Sequence, residues 1–174
     1  MAIAAGAGGE ATQPYRPRRE SRAHAVRGRR GQIGLTSWGP PSDEPIVLLH
    51  GWMDCGAALQ LLVDELPDDW SLTAIDWPGY GRSDAYEGGY WFAECLADLD
   101  FLLDQLLPGK AARVIGHSLG GAVALMFAGV RPQRLRWLVD MEGFGLPHLD
   151  PAELPERLSG WLDALRAAGL QKGY

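Results

Sequence analysis

A chain of 174 residues, 47% hydrophobic and 22% charged, can bury one sizeable core, so a single globular domain is expected over most of its length. The net charge of -6 gives no general reason to expect nucleic-acid or membrane binding, and no apolar run nears the ~20 residues that a bilayer span needs. The two cysteines, Cys55 and Cys95, form no metal-type spacing and read as reduced thiols.

In chain order, the first ten residues lack a basic start and a sustained apolar stretch. They make a poor secretory signal, and a cytoplasmic location is expected. Residues 1–22, rich in Gly, Ala, Pro and Arg, read as a disordered arm. Arg16, Arg18, Arg19, Arg22, Arg27, Arg29 and Arg30 crowd here, opposed only by Glu20, and read as solvated charge leading into a first hairpin. Strand-like pieces over residues 23–38 are broken by Gly28, Gly31 and Gly34, which suits an edge hairpin. Ile46-Val47-Leu48-Leu49 is a continuous, partly β-branched apolar run and predicts a strand buried on both faces. A helix is expected over residues 56–66, where Leu59, Leu62 and Leu66 share a helical spacing. Residues 70–75 predict a second buried strand. A longer helix follows over residues 90–107, with Leu96, Leu99, Leu103 and Leu106 on one face and Pro108-Gly109 as its stop. Strand 112–116, helix 119–130 and strand 135–140 complete an alternation that predicts an α/β fold with a mostly parallel sheet and flanking helices. Beyond Pro151, Leu154, Leu158, Trp161, Leu162 and Leu165 form one more helical stripe.

Three motifs fall at the C-terminal ends of three of these strands, where open parallel sheets build their sites. The sharpest is Gly116-His117-Ser118-Leu119-Gly120, followed by Gly121, between strand and helix. A serine on such a turn needs small neighbours, and Gly116 and Gly120 let strand and helix approach closely. The helix start then lends positive potential at the Ser118 hydroxyl. His117 is adjacent to Ser118 and points away from it, so it is not expected to serve as its base. His50-Gly51-Trp52 supplies a loop whose Trp52 N–H, with that of Leu119, is the expected oxyanion hole; His50 reads as a brace for that loop. Asp76-Trp77-Pro78-Gly79-Tyr80-Gly81-Arg82-Ser83-Asp84 is a tight turn in which Asp76 reads as a structural carboxylate.

Together these landmarks resemble the α/β-hydrolase fold superfamily, over about residues 23–170. The resemblance looks closest to the bacterial branch of esterases, C–C-bond hydrolases, epoxide hydrolases and haloalkane dehalogenases. The last two usually place Asp where this chain has Ser118, so Ser118 favours hydrolysis of an ester, thioester, lactone or C–C bond in a small acyl substrate. No cofactor or metal is implied. Residues 23–144 would be the hydrolase core and residues 145–174 the entry to its helical lid, with the C-terminal strands missing.

The superfamily takes its acid from after the sixth or seventh core strand and its histidine from after the eighth. Glu142, just after the strand resembling the sixth, is therefore the candidate acid, with Asp140 behind it; most relatives take theirs later. His148 is the only histidine downstream of Ser118, and no convincing base is in view. A truncated member is expected, whose uncovered edge at residues 135–139 invites aggregation or self-association. The competing reading is a catalytically silent hydrolase fold that acts, if at all, as a binding module.

Overall fold

The structure, a computed structural model, describes residues 15–88, 90–143, 150 and 152–167. Six strands form one sheet: β1 (Arg22–Arg27), β2 (Gln32–Trp38), β3 (Ile46–Leu49), β4 (Leu72–Ile75), β5 (Ala112–His117) and β6 (Leu135–Met141). Their spatial order is β1-β2-β4-β3-β5-β6. The β1–β2 hairpin joins β4 antiparallel, whereas β4, β3, β5 and β6 pair in parallel. Among the described residues the sheet is accompanied by α1 (Gln60–Glu65), α2 (Phe92–Leu106) and α3 (Leu119–Val130), and α4 (Leu154–Ala167) follows in the chain. The mixed, mostly parallel α/β architecture is the one the alternation predicts.

The continuous apolar run of β3 has a direct cause. Val47 and Leu49 join the core cluster that holds Leu99, Leu103 and Phe127 from α2 and α3. Ile46 and Leu48 join the opposite cluster, with Leu59, Val63 and Trp38. Successive side chains leave a strand on opposite faces, so a strand covered on both sides needs apolar residues at every position. On α2 the predicted stripe is the buried one: Leu99, Leu102 and Leu103 are fully buried, with Leu96 and Leu106 packed beside them. Each buried leucine contributes about 1.5–3 kcal/mol relative to exposure.

Three local expectations are revised. The single helix over residues 56–66 is a short 3-10 turn, Gly56–Leu59, leading into α1. The Gly56 N–H is drawn to the Asp76 Oδ1 (2.6 Å), which fixes the start of this turn, and Leu66-Pro67 ends the helix. Trp70 lies before the strand, its N–H donating to the Pro67 carbonyl.

The arm expected over residues 1–22 is anchored from Tyr15 onward; residues 1–14 lie outside the described residues. Arg19 is only 8% exposed, and its guanidinium donates to the carbonyls of Val63, Pro67, Asp68 and Trp70. Asp64 accepts from the Tyr15 hydroxyl (2.5 Å) and from the Arg18 and Arg19 N–H groups. Burial works against the Asp64 carboxylate, but these bonds and one from Gln60 bring its pKa down to about 2. Nor are Arg29 and Arg30 merely solvated: both pair with Glu94, and Arg29 also with Asp98.

The chain divides into two compact units, residues 1–143 and 144–174, the second containing α4. Among the described residues no helix is long and apolar enough to cross a membrane.

Candidate active site

Ser118 sits at the junction of β5 and α3 with φ 51° and ψ -114°. A non-glycine residue held there stores strain of about 1–3 kcal/mol and persists only where its surroundings over-determine it. Those surroundings are tight backbone. A Cβ on Gly116 would lie 2.6 Å from the Gly120 carbonyl oxygen, and one on Gly120 would lie 2.4 Å from that of Leu49. The Ser118 N–H donates to the Met141 carbonyl of β6 (2.8 Å), and its carbonyl accepts the Ala122 N–H (2.9 Å). Its hydroxyl has no hydrogen-bond partner among the described residues. Leu119 is the first residue of α3, so its N–H belongs to the helix's unpaired first turn.

Across the site, the loop after β3 is braced by His50, which is fully buried. Its Nε2 accepts the Trp77 N–H (3.0 Å), so Nδ1 carries the proton and donates to the Gly51 carbonyl (2.8 Å). Trp77 returns its indole N–H to the His50 carbonyl (3.1 Å). Burial lowers the His50 pKa, against the Gly51 hydrogen bond and the charges of Asp76 and Asp54. The ring is neutral and committed to the loop, as the sequence reading has it. Gly51 sits close to the elbow: a Cβ there would come 3.1 Å from His117 Nδ1 and 3.3 Å from Ser118 Cβ, a tight fit for any side chain.

Asp76 is structural as expected. Its Oδ1 takes the Gly56 N–H and its Oδ2 the Arg82 N–H (2.8 Å). Ser83 clips the same turn, donating to the Asp76 carbonyl and accepting the Gly34 N–H.

Trp52 and Leu119, the two expected oxyanion donors, border one cavity of about 220 Å³. Its other walls come from the 77–98 stretch, including Tyr86, Tyr90 and Cys95, which the sequence reading passed over. One signal was available: Trp77, Tyr80, Tyr86, Tyr90, Trp91 and Phe92 crowd into sixteen positions.

Glu142 follows β6 at φ 60°, with a side chain 76% exposed and its carboxylate 3.8 Å from His117 Nε2. Asp140 braces the turn after β6, its Oδ1 accepting the Gly143 N–H (3.0 Å). Of the histidines, His24 is on β1 at the far side of the sheet, His50 has both ring nitrogens engaged, and His117 faces Glu142. His148 lies outside the described residues. Among the described residues no group of three or more His, Cys, Asp or Glu side chains could hold a metal ion.

A family model described as the alpha/beta hydrolase fold matches residues 44–172. The chain belongs to the α/β-hydrolase fold family. A serine hydrolase-like protein of Danio rerio is 38% identical to this family member over 118 residues, covering 67% of the chain and 35% of the relative. A pimeloyl-[acyl-carrier protein] methyl ester esterase of Yersinia pseudotuberculosis is 34% identical over 122 residues, covering 68% and 45%. The thioesterase domain from the curacin biosynthetic pathway superposes with a TM-score of 0.68 at 30% identity, over 85% of this chain and 54% of that one. This hydrolase-fold chain thus spans between about a third and about half of the length of these relatives.

Proposed function

We propose that this chain carries the nucleophile and oxyanion half of a serine hydrolase that cleaves a small carboxylic ester or related acyl substrate. The observation that carries the reading is Ser118: a strained, glycine-packed serine whose hydroxyl has no partner among the described residues, at the start of a helix whose first residue, Leu119, borders a largely apolar cavity. Its Oγ adds to the substrate carbonyl and gives up its proton to a histidine base. The Leu119 and Trp52 N–H groups receive the charge that develops on the carbonyl oxygen. The tetrahedral centre collapses, the leaving alcohol takes the proton, and an acyl-enzyme remains. Water, deprotonated by the same base, then releases the acid and restores Ser118. Glu142, at the end of β6, is the proposed acid that orients the base; its approach to His117 supports a carboxylate at the rim of the site.

The esterase and thioesterase relatives support acyl chemistry for this fold, each for its own substrate. A second reading, a silent fold that binds without turnover, draws on one observation: none of the three described histidines is hydrogen-bonded to the Ser118 hydroxyl. Intact-mass analysis after exposure to a fluorophosphonate probe separates the two. One adduct, abolished by Ser118→Ala, is the expected outcome. A chain that takes no adduct while remaining folded would move the binding reading to the front.

A further inference from the structure

The cavity beside the elbow is built of rings. Trp52, Trp77, Tyr80, Tyr86, Tyr90 and Trp91 line it. The polar ends of three of these are already bonded to the protein. The Trp77 indole N–H is on the His50 carbonyl, the Tyr86 hydroxyl donates to Asp98 (2.9 Å), and the Tyr90 hydroxyl accepts the Tyr86 N–H (2.9 Å). A ligand entering here meets mostly ring carbon.

Two carboxylates, Glu94 and Asp98, also stand in the wall. Alone they would suggest a cation site, since aromatic boxes with negative charge take quaternary ammonium groups. Here both are compensated. Glu94 Oε2 accepts from Arg29 (2.6 Å) and Arg30 (3.0 Å), and Asp98 Oδ1 accepts from Arg29 (3.2 Å) and Tyr86. Arg30 further places its guanidinium 4.0 Å above the Tyr86 ring. The cation that this cluster attracts is one of the protein's own. Cys95, in the same wall, is held as a neutral thiol by burial, its pKa pushed up to about 11. A charged ligand would lose its hydration against a wall that is mostly ring carbon and whose two carboxylates are already paired.

Size narrows the ligand further. A protein cavity of about 150 Å³ holds a benzene ring, and this one is about 220 Å³, enough for a ring on a short alkyl linker. Aromatic rings prefer offset and edge-to-face neighbours, which the walls offer: Tyr86 and Tyr90 are near parallel and Trp52 stands edge-on to Tyr80.

We propose that this cavity selects a neutral arylalkyl group on the substrate, seated beside the carbonyl that Leu119 and Trp52 hold, and rejects cationic and anionic analogues of the same size. The inference rests on the serine-hydrolase reading for the placement of that carbonyl. The test is equilibrium binding, followed by tryptophan fluorescence, of three phenyl ligands of similar size: benzylacetone, benzyltrimethylammonium and hydrocinnamate. Benzylacetone is expected to bind at least about tenfold more tightly than either ion. Cys95→Phe, which fills the cavity, should weaken that affinity by about tenfold or more. Trp91→Ala, at a highly exposed position that leaves the core intact, should weaken it severalfold and stands in if Cys95→Phe does not fold. Equal or tighter binding of the cation, absence of benzylacetone binding, or an affinity unmoved by Trp91→Ala overturns the proposal. Benzylacetone binding without probe labelling of Ser118 would sink the hydrolase reading alone; labelling without benzylacetone binding would sink only the pocket's ligand class.

Discussion

The two banks of the candidate site are built on opposite plans. On the β3–β4 bank, His50 and Asp76 are buried with their polar side-chain atoms bonded to loop backbone, and the loops are held in one shape. On the β5–β6 bank, Ser118 and Glu142 are both at positive φ, Ser118 has an unengaged hydroxyl and Glu142 an exposed carboxylate. The contrast lies in the side chains rather than the backbone, since Met53 after β3 is also at positive φ: one bank commits its polar groups to loop backbone and the other does not. In the proposed reaction the Trp52 N–H comes from the committed bank, and Ser118 with the Leu119 N–H from the other.

The sharpest way to break this picture is to disturb the packing that forces the strain. Gly120→Ala would drive a Cβ to 2.4 Å from the Leu49 carbonyl oxygen, a backbone atom that cannot swing aside. A loss of more than about 4 kcal/mol is expected, enough to prevent folding of a marginally stable domain. A variant melting within a few degrees of the parent would show that the elbow is looser than described. Next in size is Asp76→Ala, which leaves the Gly56 and Arg82 N–H groups without their acceptor. It should cost about 3 kcal/mol in urea unfolding, and a near-neutral result would mean that water replaces the carboxylate.

The His50 contribution is read through pH. Its folded pKa is depressed by burial, so the unfolded chain binds the proton more readily. Its stabilising effect is therefore complete above the unfolded value of about 6.5 and declines as pH falls below it, by up to about 1.4 kcal/mol per pH unit. Urea melts at neutral and mildly acidic pH should show this slope in the parent and a smaller one in His50→Gln; equal slopes would place the titration elsewhere. The smallest effect is a gain. Ser118→Gly relieves the backbone strain and should stabilise by about 1 kcal/mol while abolishing probe labelling. If it destabilises, the strain assigned to Ser118 is not there.

Much of this site is legible in the chain because its parts are local. Gly116 and Gly120 announce a close strand–helix crossing, and the run at Ile46 announces a strand buried on both faces. His50 and Asp76 read as braces because they sit where strands end among turn formers. What escapes the sequence is what distant segments do to one another. Arg19 looks like one more solvated arginine until the end of α1 and the turn after it, some fifty residues away, present four carbonyls to its guanidinium. The 3-10 turn that opens the stretch over residues 56–66 starts where Asp76, just after β4, accepts the Gly56 N–H. The aromatic cavity escaped for a similar reason: Tyr86 and Tyr90 lie in a loop without periodicity, and only its folding onto α2 brings them beside Trp52.

The Arg19 clamp carries a practical consequence. Trimming the chain back to the first strand at Arg22 looks harmless on a topology diagram, yet it would strip four carbonyls of their shared donor and remove two of the N–H groups that hold Asp64. The folded unit therefore reaches back at least to Tyr15, and a fusion partner or tag belongs ahead of that residue.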